Sequence, residues 1–141
     1  MHLVISSMDK DAILDTIGRI AGGFKEVKIA YVFGSFLLRE DFRDIDIALL
    51  LSEDLSPYSS LKLAMHIGTL LDWEIRSCHE SDVRVLNNAH PEFQYEVVKT
   101  GKAVFSRDEQ ERFDYEAEVI STYLDLKEMY DFFDREYLAR A

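Results

Sequence analysis

Tyr31-Val-Phe-Gly-Ser-Phe-Leu-Leu-Arg-Glu-Asp-Phe-Arg-Asp-Ile-Asp-Ile-Ala-Leu-Leu-Leu51 decides how this 141-residue chain is read. It is an apolar strand, a Gly34-Ser35 turn, a short polar excursion, and a second apolar strand that opens on Asp44-Ile45-Asp46. Strand residues i and i+2 point to one face, so Asp44 and Asp46 project together. Two carboxylates on an otherwise Ile, Ala and Leu strand repel each other and resist burial unless something positive lies between them. A hard cation held by one or two carboxylates and completed by substrate phosphates is the Mg²⁺ pattern. Gly34 lacks a Cβ and lets the backbone approach a phosphate, and the Ser35 hydroxyl can bond to a phosphate oxygen. Asp-x-Asp alone is common on solvated strand edges, and Ser35 alone could be a helix cap. Gly-Ser ahead of Asp-x-Asp and an apolar run after it favour a metal-bound nucleotide.

Outward from this stretch, the apolar residues Ile13, Ile17 and Ile20 predict an amphipathic helix over 9–21, capped by Ser7 or Asp9 and ended by Gly22-Gly23. Val27–Phe33 and Asp44–Leu51 are strands, the second central and covered on both faces, with a helical turn to about Arg39 between them. Ser56-Pro57 starts a helix with Ala64, Ile67, Leu71, Ile75 and Cys78 on one face, ending between 72 and 78. Ser81–Leu86 is a third strand, with Asp82, Arg84 and Leu86 on one face, and Asn87-Asn88 turns the chain. A helix runs from Pro91 to the Gly101 stop, and Ala103-Val104-Phe105 is an edge strand. From Asp108 onward the chain is helical with two apolar stripes. One is Phe113, Ile120 and Leu124; the other is Val119, Tyr123, Leu126, Tyr130, Phe133 and Tyr137. One stripe suffices to reach the helix's own core, so the tyrosine-rich one reads as a partner surface.

The size fits one domain, and 48% hydrophobic with 12% aromatic residues fits a folded globule. Net charge is −11, which opposes a polynucleotide partner, because nucleic-acid affinity rests on Lys and Arg meeting phosphates. It suits a metal-carried nucleotide or a basic protein. The single Cys78 makes no intrachain disulfide, and no run approaches a membrane span or a signal peptide, so a cytoplasmic protein is expected. His2, His66, His79 and His90 lack metal-ligand spacing and read as surface or structural.

In its Gly-Ser, spacer and Asp-x-Asp order, the chain resembles the DNA-polymerase-β-type nucleotidyltransferase superfamily in its minimal form. Ser81-Asp82-Val83-Arg84-Val85-Leu86-Asn87 is similar to the family's third acidic segment, and 89–95, Gly101 and Phe105 continue the likeness. The tail, Arg112-Phe113 through Tyr123-Leu124-Asp125 to Glu136-Tyr137-Leu138, resembles the MNT antitoxins that partner HEPN toxins, so the likeness covers nearly the whole chain. Two departures stand out. The spacer from Ser35 to Asp44 holds eight residues, fewer than is usual in the family. Phe36-Leu37-Leu38 stands where many relatives carry arginine, leaving Arg39 and Arg43 as candidates for the phosphates.

The resemblance implies an α/β fold of the α+β type: a small mixed β-sheet with helices packed on it and a long C-terminal helical tail. Residues 1–107 would be the minimal nucleotidyltransferase domain, and 108–141 a partner-binding extension. It further implies ATP as donor, Mg²⁺ (a two-metal site included) on Asp44, Asp46 and Asp82, and a HEPN-toxin tyrosine as acceptor. Asp82 would help hold a second metal or take the hydroxyl proton. Glu74 and Glu80 stay open as third carboxylates, with Glu74 assigned to the exposed face of its helix. One rival is an inactive fold that neutralises its partner by occlusion. Another is a transferase acting on a small cationic molecule such as an aminoglycoside.

Overall fold

The computed structural model describes residues 7–75 and 80–140. In chain order the elements are α1 (Ser7–Gly22), β1 (Val27–Phe33), α2 (Ser35–Leu38), β2 (Asp44–Leu51), α3 (Pro57–Ile75), β3 (Glu80–Val85), α4 (Pro91–Thr100), β4 (Lys102–Ser106) and α5 (Glu109–Ala139). The four strands form one mixed sheet in the order β3-β2-β1-β4, with β2–β3 parallel and the other pairs antiparallel. No helix among the described residues is long and apolar enough to cross a membrane.

Alternation along β2 separates two layers. Ile45, Ile47, Leu49 and Leu51 are buried on the side of Ile17, Ala21, Ile67 and Leu71, which come from α1 and α3. Ala48 is buried on the other side with Ile29, Tyr31, Leu86 and Val97, where Phe93 and Tyr115 add α4 and α5. The continuous apolar run is therefore that of a central strand covered on both faces. Asp44 and Asp46 belong by alternation to the α4/α5 side, at the strand's opening end where cover is thinnest.

Local chemistry fixes the boundaries. Ser56 Oγ accepts from Ser59 N at 3.1 Å, with Pro57 in the first helical position, and Asp108 caps α5 through Gln110 N (2.9 Å) and Glu111 N (3.3 Å). Asn87 clasps Leu51, donating to its carbonyl (2.7 Å) and accepting from its amide (2.8 Å), while Asn88 takes φ 62° in the turn. Arg107 donates to the carbonyls of Gly22, Phe24 and Val27 at 3.0–3.1 Å and closes the end of α1.

Several boundaries differ from the sequence expectation. Helix α1 starts at Ser7, so Asp9 lies inside its first turn and is not the cap. Strand β3 begins one residue earlier than Ser81, and β4 extends the expected three residues by one at each end because Lys102 and Ser106 pair with Val32 and Ile29 of β1. Helix α3 ends at Ile75, inside the expected window, whereas Cys78, His2 and His79 lie outside the described residues. The tail differs most. Val119 is buried and Tyr123 stacks on Tyr95 at 3.8 Å, so the stripe assigned to a partner packs on the body at its first half. Phe113, Ile120 and Leu124, expected inside, are exposed, as is every residue from 127 to 140.

Candidate active site

The β1–α2–β2 stretch and the start of β3 converge at one end of the sheet. In the β1–β2 register Phe33 faces Asp46, so Gly34 sits beside that carboxylate. Gly34 has φ 80° and ψ −156°, a region essentially reserved for glycine. A Cβ on Gly34 would overlap Asp46 Oδ2 and stand 3.3 Å from its Cγ. The conformation and the missing side chain are thus both needed to seat Asp46 against the turn. Ser35 opens α2, and the N-cap position belongs to Gly34 with no side-chain cap bond, so the plain capping role for Ser35 does not apply.

Across the parallel β2–β3 ladder, Asp46 is the register partner of Asp82, and Asp44 that of Glu80. Asp44 and Glu80 are exposed, and Asp46 and Asp82 are half-buried. Glu74 is exposed on α3, which packs on the opposite face of the sheet. Burial first, and then the charges of Asp82 and Asp44, raise the Asp46 carboxyl above its ordinary range, while Arg84 pulls it down. Arg84 reaches Asp82 Oδ2 at 3.3 Å with its guanidinium 5.6 Å from the centre of the Phe93 ring. Among the described residues no three His, Cys, Asp or Glu side chains stand as a ready metal cage. The donors that do gather are all carboxylate oxygens, a set that fits a hard cation whose shell is completed by phosphates.

The candidate phosphate ligands behave differently from one another. Arg39 is exposed and forked onto Asp41, at 2.9 and 3.0 Å, and this bond raises its pKa. Arg43 is exposed immediately before β2. Lys10 joins the site without any signal in the sequence. Its ammonium donates to the carbonyls of Phe36 and Arg39, both at 2.7 Å, and lies 5.2 Å from the Phe36 and Phe42 ring centres. It satisfies the C-terminal carbonyls of α2 and so pins the Gly-Ser turn. Nothing in its helical context distinguishes it from any surface lysine. A cavity of about 1120 Å³ lies at the far end of β2 and β3 and is not lined by the three aspartates.

The polymerase beta nucleotidyltransferase family matches residues 15–110 of this chain, which contain the whole constellation. Among curated proteins no significant match exists. Several solved structures share the fold. One holds a tri-AMPylated Shewanella oneidensis HEPN toxin in complex with MNT antitoxin: 21% identity over 92% of this chain and 98% of that one, TM-score 0.66. A toxin–antitoxin structure with AMP-PNP gives 21% identity, 94% and 99% coverage, and TM-score 0.61. A toxin–antitoxin MntA-HepT structure gives 20% identity, the same coverages, and TM-score 0.62.

Proposed function

The chain belongs to the polymerase beta nucleotidyltransferase family, and we propose that it moves AMP from ATP to a tyrosine hydroxyl of a HEPN toxin, as an antitoxin. The observation that carries the reading is the pairing of Asp46 with Asp82 across β2–β3, with Gly34 pressed against Asp46. The AMPylated toxin and the AMP-PNP complex among the fold neighbours support the donor and the acceptor class.

A divalent cation on Asp44 and Asp46 would bind triphosphate oxygens, neutralise their charge and acidify the attacking hydroxyl. The chain's own residues do the rest. Gly34 leaves room for the β and γ phosphates at the turn, and Ser35 presents its hydroxyl to them. Asp82, beside Asp46, receives the acceptor proton once Arg84 leaves its Oδ2. The acceptor oxygen bonds to the α-phosphorus as the bond to the bridging oxygen breaks, and pyrophosphate departs with that electron pair. Arg39 would reach the phosphates by exchanging Asp41 for them, and Arg43 stands at the mouth of the same strand. The exposed outer half of α5 supplies the partner surface.

Incubation with ATP labelled at either the α or the γ phosphorus tests the reaction. Label enters the toxin from the α position only, and Asp44→Asn with Asp46→Asn abolishes it. Protection of cells by that double variant, with no label transferred by the parent, would establish neutralisation by occlusion instead.

A further inference from the structure

The cavity remote from the aspartates borders the open edge of the sheet. Strand β3 is terminal, and among the described residues no strand lies beyond it. Leu86 N bonds inward to Leu49 O at 2.8 Å, so alternation turns the amides of Ser81, Val83 and Val85 outward. Ser81 N confirms the direction, since it bonds off the sheet to Asp72 Oδ1 at 2.7 Å. Val83, Arg84 and Val85 line the cavity together with α3 residues on one face of the sheet and α5 residues on the other. It therefore straddles the strand's free edge, with room for side chains on both sides. Its carboxylates are Glu53, Glu111, Asp114 and Glu118. Among the described residues its cations are Lys28 and Arg84, and both are paired, to Glu111 at 3.5 Å and to Asp82 at 3.3 Å.

We infer that this edge docks an extended, basic segment of the acceptor protein, added as a strand beside β3. This rests on the transfer reading above and names how the acceptor is held. The outward amides and carbonyls of Val83 and Val85 supply main-chain bonds, and alternate arginine or lysine side chains meet the carboxylates. The edge has no proline, and of its three charged residues Glu80 and Asp82 are acidic while Arg84 is paired to Asp82. A strand laid there passes from Arg84 to Asp82 within about 7 Å, two residues of rise. A hydroxyl carried on the same segment is thereby delivered to the aspartate end of β3.

The test uses a fluorescein-labelled peptide of alternating arginine and valine with a central tyrosine, and a proline-interrupted peptide of equal charge. Anisotropy with the full chain should show binding of the first peptide and at least about tenfold weaker binding of the second. Glu53→Lys with Glu118→Lys should cost a similar factor, while Asp11→Lys with Asp15→Lys, exposed on α1 and away from the cavity lining, changes nothing. No binding, equal binding of both peptides, or equal loss from the distal reversal overturns the inference. Binding of Mg-ATP is followed in the same samples. Peptide binding without nucleotide binding sinks the transfer reading alone, and nucleotide binding without peptide binding sinks the docking edge alone.

Discussion

Replacing Gly34 by alanine separates backbone strain from crowding of the carboxylate. At φ 80° and ψ −156° an alanine is strained, by about 1–3 kcal/mol. The added methyl also overlaps Asp46 Oδ2, and its nearest neighbour after the carboxyl group is Asp46 Cβ at an ordinary 3.5 Å. The carboxylate must therefore move. Strain alone lowers the melting temperature by several degrees, at about 2–4 °C per kcal/mol for a chain of this size. Displacing Asp46 by ~1 Å costs transfer about 10²-fold. The same substitution in an Asp46→Ala background meets only the Cβ, so it retains the strain and loses the crowding. Calorimetry on the four proteins of the cycle should give a smaller cost there, with a coupling of at least about 0.5 kcal/mol. Equal costs in both backgrounds would refute the crowding argument. A Gly34→Ala protein as stable and active as the parent would refute the whole account of the turn.

Asp46→Asn should raise stability while abolishing transfer. Because the folded pKa lies above the unfolded one, the parent loses stability as pH rises from the ordinary carboxylate range through the raised value. The Asn variant therefore melts higher at neutral pH, and its advantage vanishes below about pH 4; a lower melting temperature at neutral pH contradicts this. Tyr31→Phe removes a 2.9 Å bond from a buried hydroxyl to Glu116, one of the ties between β1 and α5, and should cost about 1–3 kcal/mol in urea unfolding. Lys10→Met loses both carbonyl bonds to α2, so it should weaken nucleotide binding at constant sheet content by circular dichroism. Truncation after Leu126 removes residues 127–140, all exposed, together with the last residue, so it should leave the melting temperature within a few degrees while reducing retention of the toxin on an affinity column.

Much of this architecture was legible because its signals are local. The strand–Gly-Ser–strand stretch, the Ser56-Pro57 start, the Asn87-Asn88 turn and the Gly101 stop each carry their own backbone chemistry. The pairing of Asp46 with Asp82 is a register between strands nearly forty residues apart, and only the resemblance to a family pointed to it. The division of the α5 stripes was not legible. Both have helical spacing, and Val119 with Tyr123 is chosen by what α4 presents, namely the stacking face of Tyr95. Arg39 illustrates the same limit at the site. A neighbouring acid two residues on, Asp41, competes for its fork, and no spacing rule says which partner wins.

The most direct test of the central claim is the intact mass of a HEPN toxin encoded beside this chain, after incubation with the purified chain, ATP and Mg²⁺. The toxin should gain mass in whole AMP steps, mapped to tyrosine, with no gain when the chain carries Asp44→Asn and Asp46→Asn and none without the metal. A toxin of unchanged mass, held in a stable complex by a folded chain, would contradict it.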